Sequence, residues 1–183
     1  MNQKDQAVLN PTGNKWFAVY TRSRNEKKVA ALLQERGIVV YLPLMKTLRQ
    51  WSDRKRMVEV PLFNSYLFVQ SEPHLLYKAM QVEGAVYVVK FGGQPAVIPD
   101  EQIENLKIIL GSSTKFDISF DEFTFGEHVE VVEGPLCGVH GVFVEYHGKK
   151  RVLIRMDVIN QNLVIEVHPG MIQKKQPVSG VWV

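Results

Sequence analysis

The sequence predicts an α+β domain followed by a small all-β domain, in a chain of 183 residues. In residues 15–111, runs that alternate apolar and polar residues are interleaved with runs whose apolar residues recur at helical spacing. From residue 125 onward, short alternating runs are separated by turn residues, a pattern typical of a small antiparallel barrel. The length is sufficient for one large domain or two small ones.

The first domain is predicted to begin with a strand, a helix and a second strand. Residues 15–21 form the first strand, and residues 23–26 match a capping box that begins the helix. Gly37 supplies the end of that helix. Residues 38–42 form the second strand, which ends at a proline.

A long hairpin is predicted next. Residues 45–60 form two arms around a polar tip at Ser52 and Asp53, a pattern that suits a hairpin leaving the body of the domain. Another strand follows at residues 66–70.

The rest of the first domain is predicted to contain two helices and a second hairpin. A short helix runs from about Glu72 to Glu83. Residues 86–91 and 96–98 then pair around a double-glycine turn. Asp100 caps a last helix, which ends at residue 111.

The second domain, residues 125–175, is predicted to be all β. Its expected strands are residues 127–132, 141–146, 151–155 and 163–167. Residues 112–124 are polar and acidic and are predicted to be a linker. Residues 1–14 and 176–183 are predicted to be tails.

Composition excludes several functional classes. No apolar run approaches the ~20 residues needed to span a bilayer, and the N-terminus lacks the apolar segment of a secretory signal. The single cysteine, Cys137, excludes an intramolecular disulfide framework. None of the five histidines has a partner at ligand spacing, and no catalytic motif is present. We therefore expect a cytoplasmic protein that is not an enzyme and that needs no metal, cofactor or membrane.

Charge is distributed unevenly along the chain. Residues 1–110 contain 15 Lys and Arg against 10 Asp and Glu, whereas residues 111–183 contain 7 against 9. Residues 117–133 contain six acidic residues and no basic one. A basic front half indicates a polyanionic partner, and the alternative is that both regions are solvated faces.

Two kinds of surface are candidates for binding. Both faces of the predicted first sheet carry large apolar side chains, so one face could retain an exposed aromatic patch, unless helices cover both. The hairpin carries cations around Trp51, a combination that suits nucleic acid; a solvated, edge-protecting hairpin is the alternative. A second basic group surrounds the start of the first helix. The two groups comprise Arg22, Arg24, Lys27 and Lys28, and Lys46, Arg49, Arg54, Lys55 and Arg56.

The sequence resembles the NusG-type transcription elongation factors over about residues 15–173. The first domain is similar to theirs in KWFAVY at residues 15–20, PLFNSYLFV at residues 61–69 and GAVYVVKFGGQPAVIP at residues 84–99. VEVVEGPLCGVHGVF at residues 129–143 resembles the KOW motif, with Gly141 at its expected glycine. The segments that begin at Pro61 and lead up to Phe91 are more similar to the specialised RfaH-like and UpxY-like antiterminators.

This resemblance implies an antiparallel sheet with flanking helices, an SH3-like KOW barrel and a protein that binds RNA polymerase. The aromatic residues at positions that contact the polymerase clamp are Tyr20, Tyr66, Phe68 and Phe91. The contact with the opposite lobe corresponds to Tyr77, Lys78, Ala79 and Met80, where the RfaH-like pattern has His-Thr-Thr-Thr instead. The basic residues would lie toward upstream or non-template DNA or nascent RNA.

The resemblance also implies partners and a role. The KOW barrel would bind ribosomal protein S10 or the termination factor Rho, and the β-branched strands favour a barrel over a helical autoinhibited form. We expect a monomeric antiterminator that promotes readthrough of a long operon for surface polysaccharide synthesis. The alternatives are a housekeeping NusG acting with Rho and a KOW-type RNA-binding module.

Overall fold

The structure is a computed structural model and describes residues 13–50, 54–119, 126–146 and 149–175. The chain divides into two compact units, Met1–Ile98 and Pro99–Val183. Apart from residues 13 and 14, the predicted tails lie outside the described residues. No helix within the described ranges is both long and apolar enough to cross a bilayer.

The first unit is built on an antiparallel sheet with the order β2-β5-β1-β6, in which β9 also pairs with β1. The β3–β4 hairpin and the β7–β8 hairpin are separate two-stranded sheets. The elements, in chain order, are β1 (Lys15–Thr21), α1 (Glu26–Glu35), β2 (Val39–Tyr41), β3 (Leu44–Gln50), β4 (Lys55–Pro61), β5 (Tyr66–Ser71), α2 (Tyr77–Met80), β6 (Ala85–Val88), β7 (Lys90–Phe91), β8 (Gln94–Pro95) and β9 (Val97–Ile98).

Helices α1 and α2 pack on one face of this sheet. Phe17 and Val19 of β1 are directed to this face because alternate residues of a strand point to opposite sides. They are buried together with Val29 and Leu33 of α1 and Ala79 of α2. The period of two in the sequence places Phe17 and Val19 on the same face, and the packing shows that this is the face the helices cover.

The start of α1 differs from the prediction. Asn25 occupies the N-cap position and makes no side-chain capping bond. Instead of completing a capping box with Ser23, the buried Glu26 carboxylate accepts a 2.7 Å hydrogen bond from the backbone N–H of Ser65. The capping box is therefore wrong, because the glutamate satisfies a donor 39 residues away in sequence.

The predicted long hairpin is confirmed. Strands β3 and β4 pair in an unbroken register from Leu44 opposite Pro61 to Gln50 opposite Lys55. Lys27 on α1 donates a 2.8 Å hydrogen bond to the carbonyl of Glu59, which ties the base of the hairpin to the helix. The predicted tip, residues 51–53 with Trp51, lies outside the described residues.

Two predictions for residues 72–98 need correction. The helix expected over residues 72–83 is reduced to a 3-10 turn at Pro73–Leu75 and the single turn of α2. Within the 96–98 segment, the N–H of Ala96 does bond to the first arm of the predicted hairpin, at 3.0 Å from the carbonyl oxygen of Val89, but Val97 and Ile98 form β9, which pairs with β1 and buries Ile98 opposite Trp16. The double-glycine turn instead joins β7 to β8.

The second unit begins with α3 (Asp100–Gly111), which was predicted to belong to the first. Asn105 of α3 both donates to the backbone carbonyl of His140, at 2.7 Å, and accepts from its N–H, at 3.0 Å. These two bonds hold the helix against the strands of the second unit. Asp100 is the first helical residue, and Pro99 rather than Asp100 occupies the cap position.

The second unit is otherwise a six-stranded antiparallel sheet with the order β10-β14-β13-β12-β11-β15. The four predicted strands are present, and two more flank them. The strands are β10 (Phe116–Ser119), β11 (Glu127–Val131), β12 (His140–Tyr146), β13 (Lys149–Met156), β14 (Gln161–Ile165) and β15 (Ile172–Lys174).

Strand β10 corrects the predicted linker at residues 112–124. Phe116 pairs with Ile165 and Ser119 with Asn162, so this segment extends the sheet of the second unit. The alternating pattern of β10 covers only four residues and includes Asp117. For that reason the strand could not be distinguished from the surrounding acidic segment. Residues 120–125 lie outside the described part of the chain.

Candidate aromatic and basic surfaces

Three tyrosines from three adjacent strands meet on the face of the first sheet opposite Phe17 and Val19. Tyr20 of β1 pairs in register with Tyr66 of β5 on one side and with Tyr87 of β6 on the other. The Tyr20 and Tyr66 rings meet edge to face with centroids 5.2 Å apart. The Tyr20 and Tyr87 rings are stacked with centroids 4.9 Å apart. We call these residues the tyrosine cluster.

One member of the tyrosine cluster, Tyr66, has a perturbed pKa. Burial raises the pKa of Tyr66 above its ordinary value of 10.0, and the nearby Tyr87 and Tyr20 phenols raise it further. Tyr87 is 47% exposed, while Tyr20 and Tyr66 are half-buried. A surface of stacked rings with hydroxyl groups can make both apolar contacts and hydrogen bonds to a partner.

Phe91 is the most exposed large apolar residue of the described chain. Its side chain is 83% exposed, at the end of β7 just before the turn at Gly92 and Gly93. Both glycines have positive φ angles, 55° and 82°, so the tight turn suits residues without a Cβ. Exposure of a phenylalanine to this degree is consistent with its predicted role in binding a partner.

Phe68 does not lie on this surface, contrary to the prediction. Its side chain is fully buried, with Phe63 at a centroid distance of 6.1 Å and Tyr41 at 6.3 Å. Phe68 shares a sheet face with Tyr66 but lies two residues farther along β5, where the sheet face is covered. It is therefore a core residue.

Tyr87 was missed by the sequence reasoning. The sequence does contain a signal for its exposure, because the alternation of β6 makes Tyr87 and the buried Val88 point to opposite faces of the sheet. Only the pairing of β6 with β1 shows that this direction brings Tyr87 onto Tyr20.

The residues expected to contact the opposite polymerase lobe divide into two pairs. Tyr77 and Lys78 are exposed. Ala79 is buried, whereas Met80 is half-buried and packs against the core of the first unit. Tyr77 and Lys78 line an open cleft of about 500 Å³, together with Arg36, Ile38 and Gln81.

Some of the predicted basic residues make hydrogen bonds or ion pairs within the first unit. All of the predicted basic residues are exposed: Arg22, Arg24, Lys27, Lys28, Lys46, Arg49, Arg54, Lys55 and Arg56. Lys27 bonds to the hairpin backbone as described above. Lys28 lies 2.9 Å from the Glu83 carboxylate and lowers the pKa of that group by donating a hydrogen bond to it. Lys27 and Lys28 are thus partly committed to contacts within the first unit.

Gly141 of the KOW-like segment lies on β12 where the next strand approaches closely. A Cβ at this position would be 2.6 Å from the carbonyl oxygen of Leu153 and 2.7 Å from Cγ1 of Val152. Because real Cβ atoms do not come this close to backbone, only glycine fits here without a shift. Packing against β13 therefore requires glycine at residue 141, independently of the resemblance to the KOW motif.

Comparison with known proteins identifies a family and similar sequences. The family model described as transcription termination factor nusG matches residues 14–107. The NusG transcription termination/antitermination protein of Pasteurella multocida is 23% identical over 178 residues, 89% of this chain and 96% of that protein. The corresponding protein of Thermus thermophilus is 24% identical over 164 residues, 76% of this chain and 88% of that protein.

The similarity to solved structures is low. A structure of Thermotoga maritima NusG aligns at 22% identity with a TM-score of 0.46, covering 89% of this chain and 98% of that chain. A chain of an MjSpt4:Spt5 complex aligns at 18% identity with a TM-score of 0.32, covering 82% of this chain and 97% of that chain. On the family-model match, which spans more than half of its residues, this chain belongs to the NusG family of transcription termination and antitermination factors.

Proposed function

We propose that this chain is a cytoplasmic antitermination factor that docks on the clamp of RNA polymerase. The docking surface consists of Tyr20, Tyr66, Tyr87 and Phe91. The observation that carries the proposal is the tyrosine cluster, whose three rings are held in mutual contact at the surface of a rigid sheet.

Aromatic residues held in this way are suited to binding a protein. Tyr20 and Tyr66 are oriented by strand pairing and by each other, so little side-chain freedom remains to be lost on association. Tyrosine is enriched among the residues that dominate the free energy of protein interfaces. Phe91 adds an exposed apolar ring that a partner can bury.

Further contacts are proposed for the remaining surfaces. Tyr77 and Lys78 are the exposed residues available to the opposite lobe of the polymerase, while Met80 is half-buried and Ala79 is buried. The hairpin cations would contact upstream or non-template DNA, or nascent RNA. The second unit would form a KOW barrel that binds ribosomal protein S10 or Rho.

The proposed role is readthrough of a long operon, one for surface polysaccharide synthesis. It is supported by the segments at residues 61–69 and 84–99, which resemble the specialised antiterminators more than housekeeping NusG. These segments contribute Tyr66, Tyr87 and Phe91 to the proposed docking surface.

The test is binding of the purified protein to core RNA polymerase, compared with Tyr87→Ala and Phe91→Ser. Both side chains are exposed, so the variants should fold, and each should weaken binding about tenfold or more. The matched control is Val39→Thr, which changes a residue about as exposed as Tyr87, on the edge strand β2 at the other side of the sheet, and should leave binding unchanged.

Two outcomes would contradict the proposal. If the wild type does not bind, the alternative of a KOW-type RNA-binding module gains support. If all variants bind equally, docking uses another surface. Where binding and its loss are observed, a readthrough assay on a template with terminators then distinguishes antitermination from Rho-assisted termination.

A further inference from the structure

The carboxylate of Glu26 is buried and belongs neither to the proposed docking surface nor to the proposed nucleic-acid contacts. Glu26 is the first residue of α1 and is only 5% exposed. Burial of a carboxylate costs free energy, and the N-terminal end of the helix dipole offsets part of this cost. The hydrogen bond that the carboxylate accepts from the backbone N–H of Ser65 offsets a further part. Glu26 and Ser65 are therefore energetically coupled.

Ser65 has a backbone conformation that favours glycine. It is the third residue of a turn over residues 63–66, in which the N–H of Tyr66 lies 3.4 Å from the carbonyl oxygen of Phe63. Ser65 is the residue of this turn that has a positive φ, 65°, as the third residue of a type II turn does. That position is usually glycine, because a Cβ is strained in the left-handed region. Ser65 therefore requires contacts that hold it in this conformation.

Two hydrogen bonds engage both backbone polar groups of Ser65. Its N–H donates to the carboxylate of Glu26 at 2.7 Å, and its carbonyl oxygen accepts from the N–H of the fully buried Thr21 at 2.8 Å. Thr21 follows Tyr20 directly in the chain, and Ser65 directly precedes Tyr66. The strained turn is therefore fastened at the edge of the tyrosine cluster, one residue away from two of its three members.

We propose that Glu26 is a positioning residue of the docking surface: its bond to Ser65 holds the turn in the left-handed conformation and thereby fixes the direction of Tyr66. The Tyr66 ring meets Tyr20 edge to face, and its hydroxyl hydrogen-bonds with that of Tyr87. This inference rests on the proposed function and adds a buried residue that acts on the surface without touching the partner.

Loss of the carboxylate should let the turn relax. Without its acceptor, Ser65 can release the strain by changing to a negative φ. Such a change rotates the chain where it enters β5 and displaces the first side chain of that strand, Tyr66. A displaced or disordered ring must be ordered again when the partner binds, and this cost lowers the affinity.

The first test compares Glu26→Ala with the double variant Glu26→Ala/Ser65→Gly in binding of the full chain to core RNA polymerase. Glu26→Ala should weaken binding about fivefold. Glycine adopts a positive φ without strain, so the double variant should hold the turn without the carboxylate and bind within about twofold of the wild type. Glu26→Gln retains an oxygen acceptor and should bind like the wild type.

The titration of Tyr66 gives a second measurement that needs no polymerase. Burial and the neighbouring phenols raise the pKa of Tyr66 above 10.0 in the folded protein. In Glu26→Ala, the late component of the phenolate absorbance should move toward the ordinary pKa, because the ring is less buried. Ser65→Gly in the same chain should restore the late component.

Three further variants separate positioning from stability. Ser65→Val opposes the positive φ while the carboxylate is still present, so it should reproduce both effects of Glu26→Ala even if that variant does not fold. Leu33→Val shortens a fully buried side chain of α1 and lowers stability without altering the turn, so it should bind like the wild type. Glu35→Ala, at an exposed glutamate of the same helix, should leave binding and titration unchanged.

The outcomes distinguish this inference from the proposed function. Full affinity in Glu26→Ala, a loss that Ser65→Gly does not restore, or an equal loss in Leu33→Val would overturn the positioning role and leave docking through the tyrosine cluster intact. If the wild type does not bind polymerase, the proposed function fails, and the titration alone decides what Glu26 does to Tyr66. A late component that is unchanged in Glu26→Ala would then overturn the positioning role as well.

Discussion

The ring of Tyr20 stacks on that of Tyr87, with centroids 4.9 Å apart and planes inclined by 12°. The contact follows from the pairing of β1 with β6, which sets the two residues directly opposite each other. Tyr20 also meets Tyr66 edge to face, so its ring contacts both other rings of the cluster. The cluster therefore behaves as a unit, and changes to any member should affect the others.

Replacement of Tyr87 should separate the role of its ring from that of its hydroxyl. Tyr87→Phe retains the stacked ring and should bind polymerase within about twofold of the wild type, whereas Tyr87→Ala should lose about tenfold. Titration against immobilised polymerase measures both. A large loss in Tyr87→Phe would show instead that a hydrogen bond from the phenol dominates the contact.

Phe68 should contribute much more to stability than Phe91. Phe68→Ala removes a fully buried ring and should lower the free energy of unfolding by about 3–5 kcal/mol. Phe91→Ala removes an exposed ring and should change it by less than about 0.5 kcal/mol. Urea denaturation of the two variants side by side provides the comparison. Similar losses in both would contradict the assignment of Phe68 to the core.

Glu26 should matter for stability through its bond to the loop before β5. Glu26→Ala leaves the Ser65 N–H without its acceptor and should cost about 1–3 kcal/mol. Glu26→Gln retains an oxygen acceptor and should cost less. Thermal or chemical denaturation ranks the variants. If the capping box were the true role, Ser23→Ala would cost as much as Glu26→Ala; we expect it to be close to neutral.

Two glycines offer a matched test of the close approach at β12. Gly141→Ala places a Cβ 2.6 Å from a backbone oxygen and should destabilise the second unit by more than about 2 kcal/mol. Gly111→Ala, in the last turn of α3, meets nothing within 4 Å and should stabilise by up to about 1 kcal/mol. Unfolding followed by circular dichroism measures both. Tolerance of alanine at residue 141 would mean that β12 and β13 can separate.

Alkaline pH should reveal the environment of Tyr66. Its pKa is raised in the folded protein, chiefly by burial, so the folded state holds the phenol proton more tightly than the unfolded chain does. This stabilisation is complete below pH 10 and is lost as pH rises through the raised pKa. Phenolate absorbance should show a late-titrating component that Tyr66→Phe removes. An unchanged titration curve in that variant would contradict the assignment.

Most of the local structure was predictable from the sequence. The alternation in β1, the apolar spacing in α1 and the two-armed pattern around β3 and β4 each depend on residues close together in the chain. Strand β10 and the pairing of β9 were not predictable, because four-residue and two-residue strands carry too little periodicity to be recognised alone. Their partners, β14 and β1, lie far away in sequence.

The candidate site was likewise predictable only in part. From the sequence we expected Tyr20, Tyr66, Phe68 and Phe91 to be surface residues, and the structure places the first two in an accessible cluster, leaves Phe91 exposed and buries Phe68. Tyr87, which the alternation did not single out, completes the cluster. Among the residues predicted to contact the opposite lobe, only the tertiary packing shows that Ala79 is buried.

The sequence by itself determined the family, the strand and helix types and the side of the sheet on which each aromatic residue lies. The side of the sheet to which a side chain points is a local property, because it follows from the pleat of a single strand. Only the tertiary structure decided that Tyr66 is accessible and Phe68, two residues away on the same side, is not. Whether a side chain on that side is buried depends on which other segments of the chain pack against it. Those segments are distant in sequence, and a local pattern does not encode where they lie.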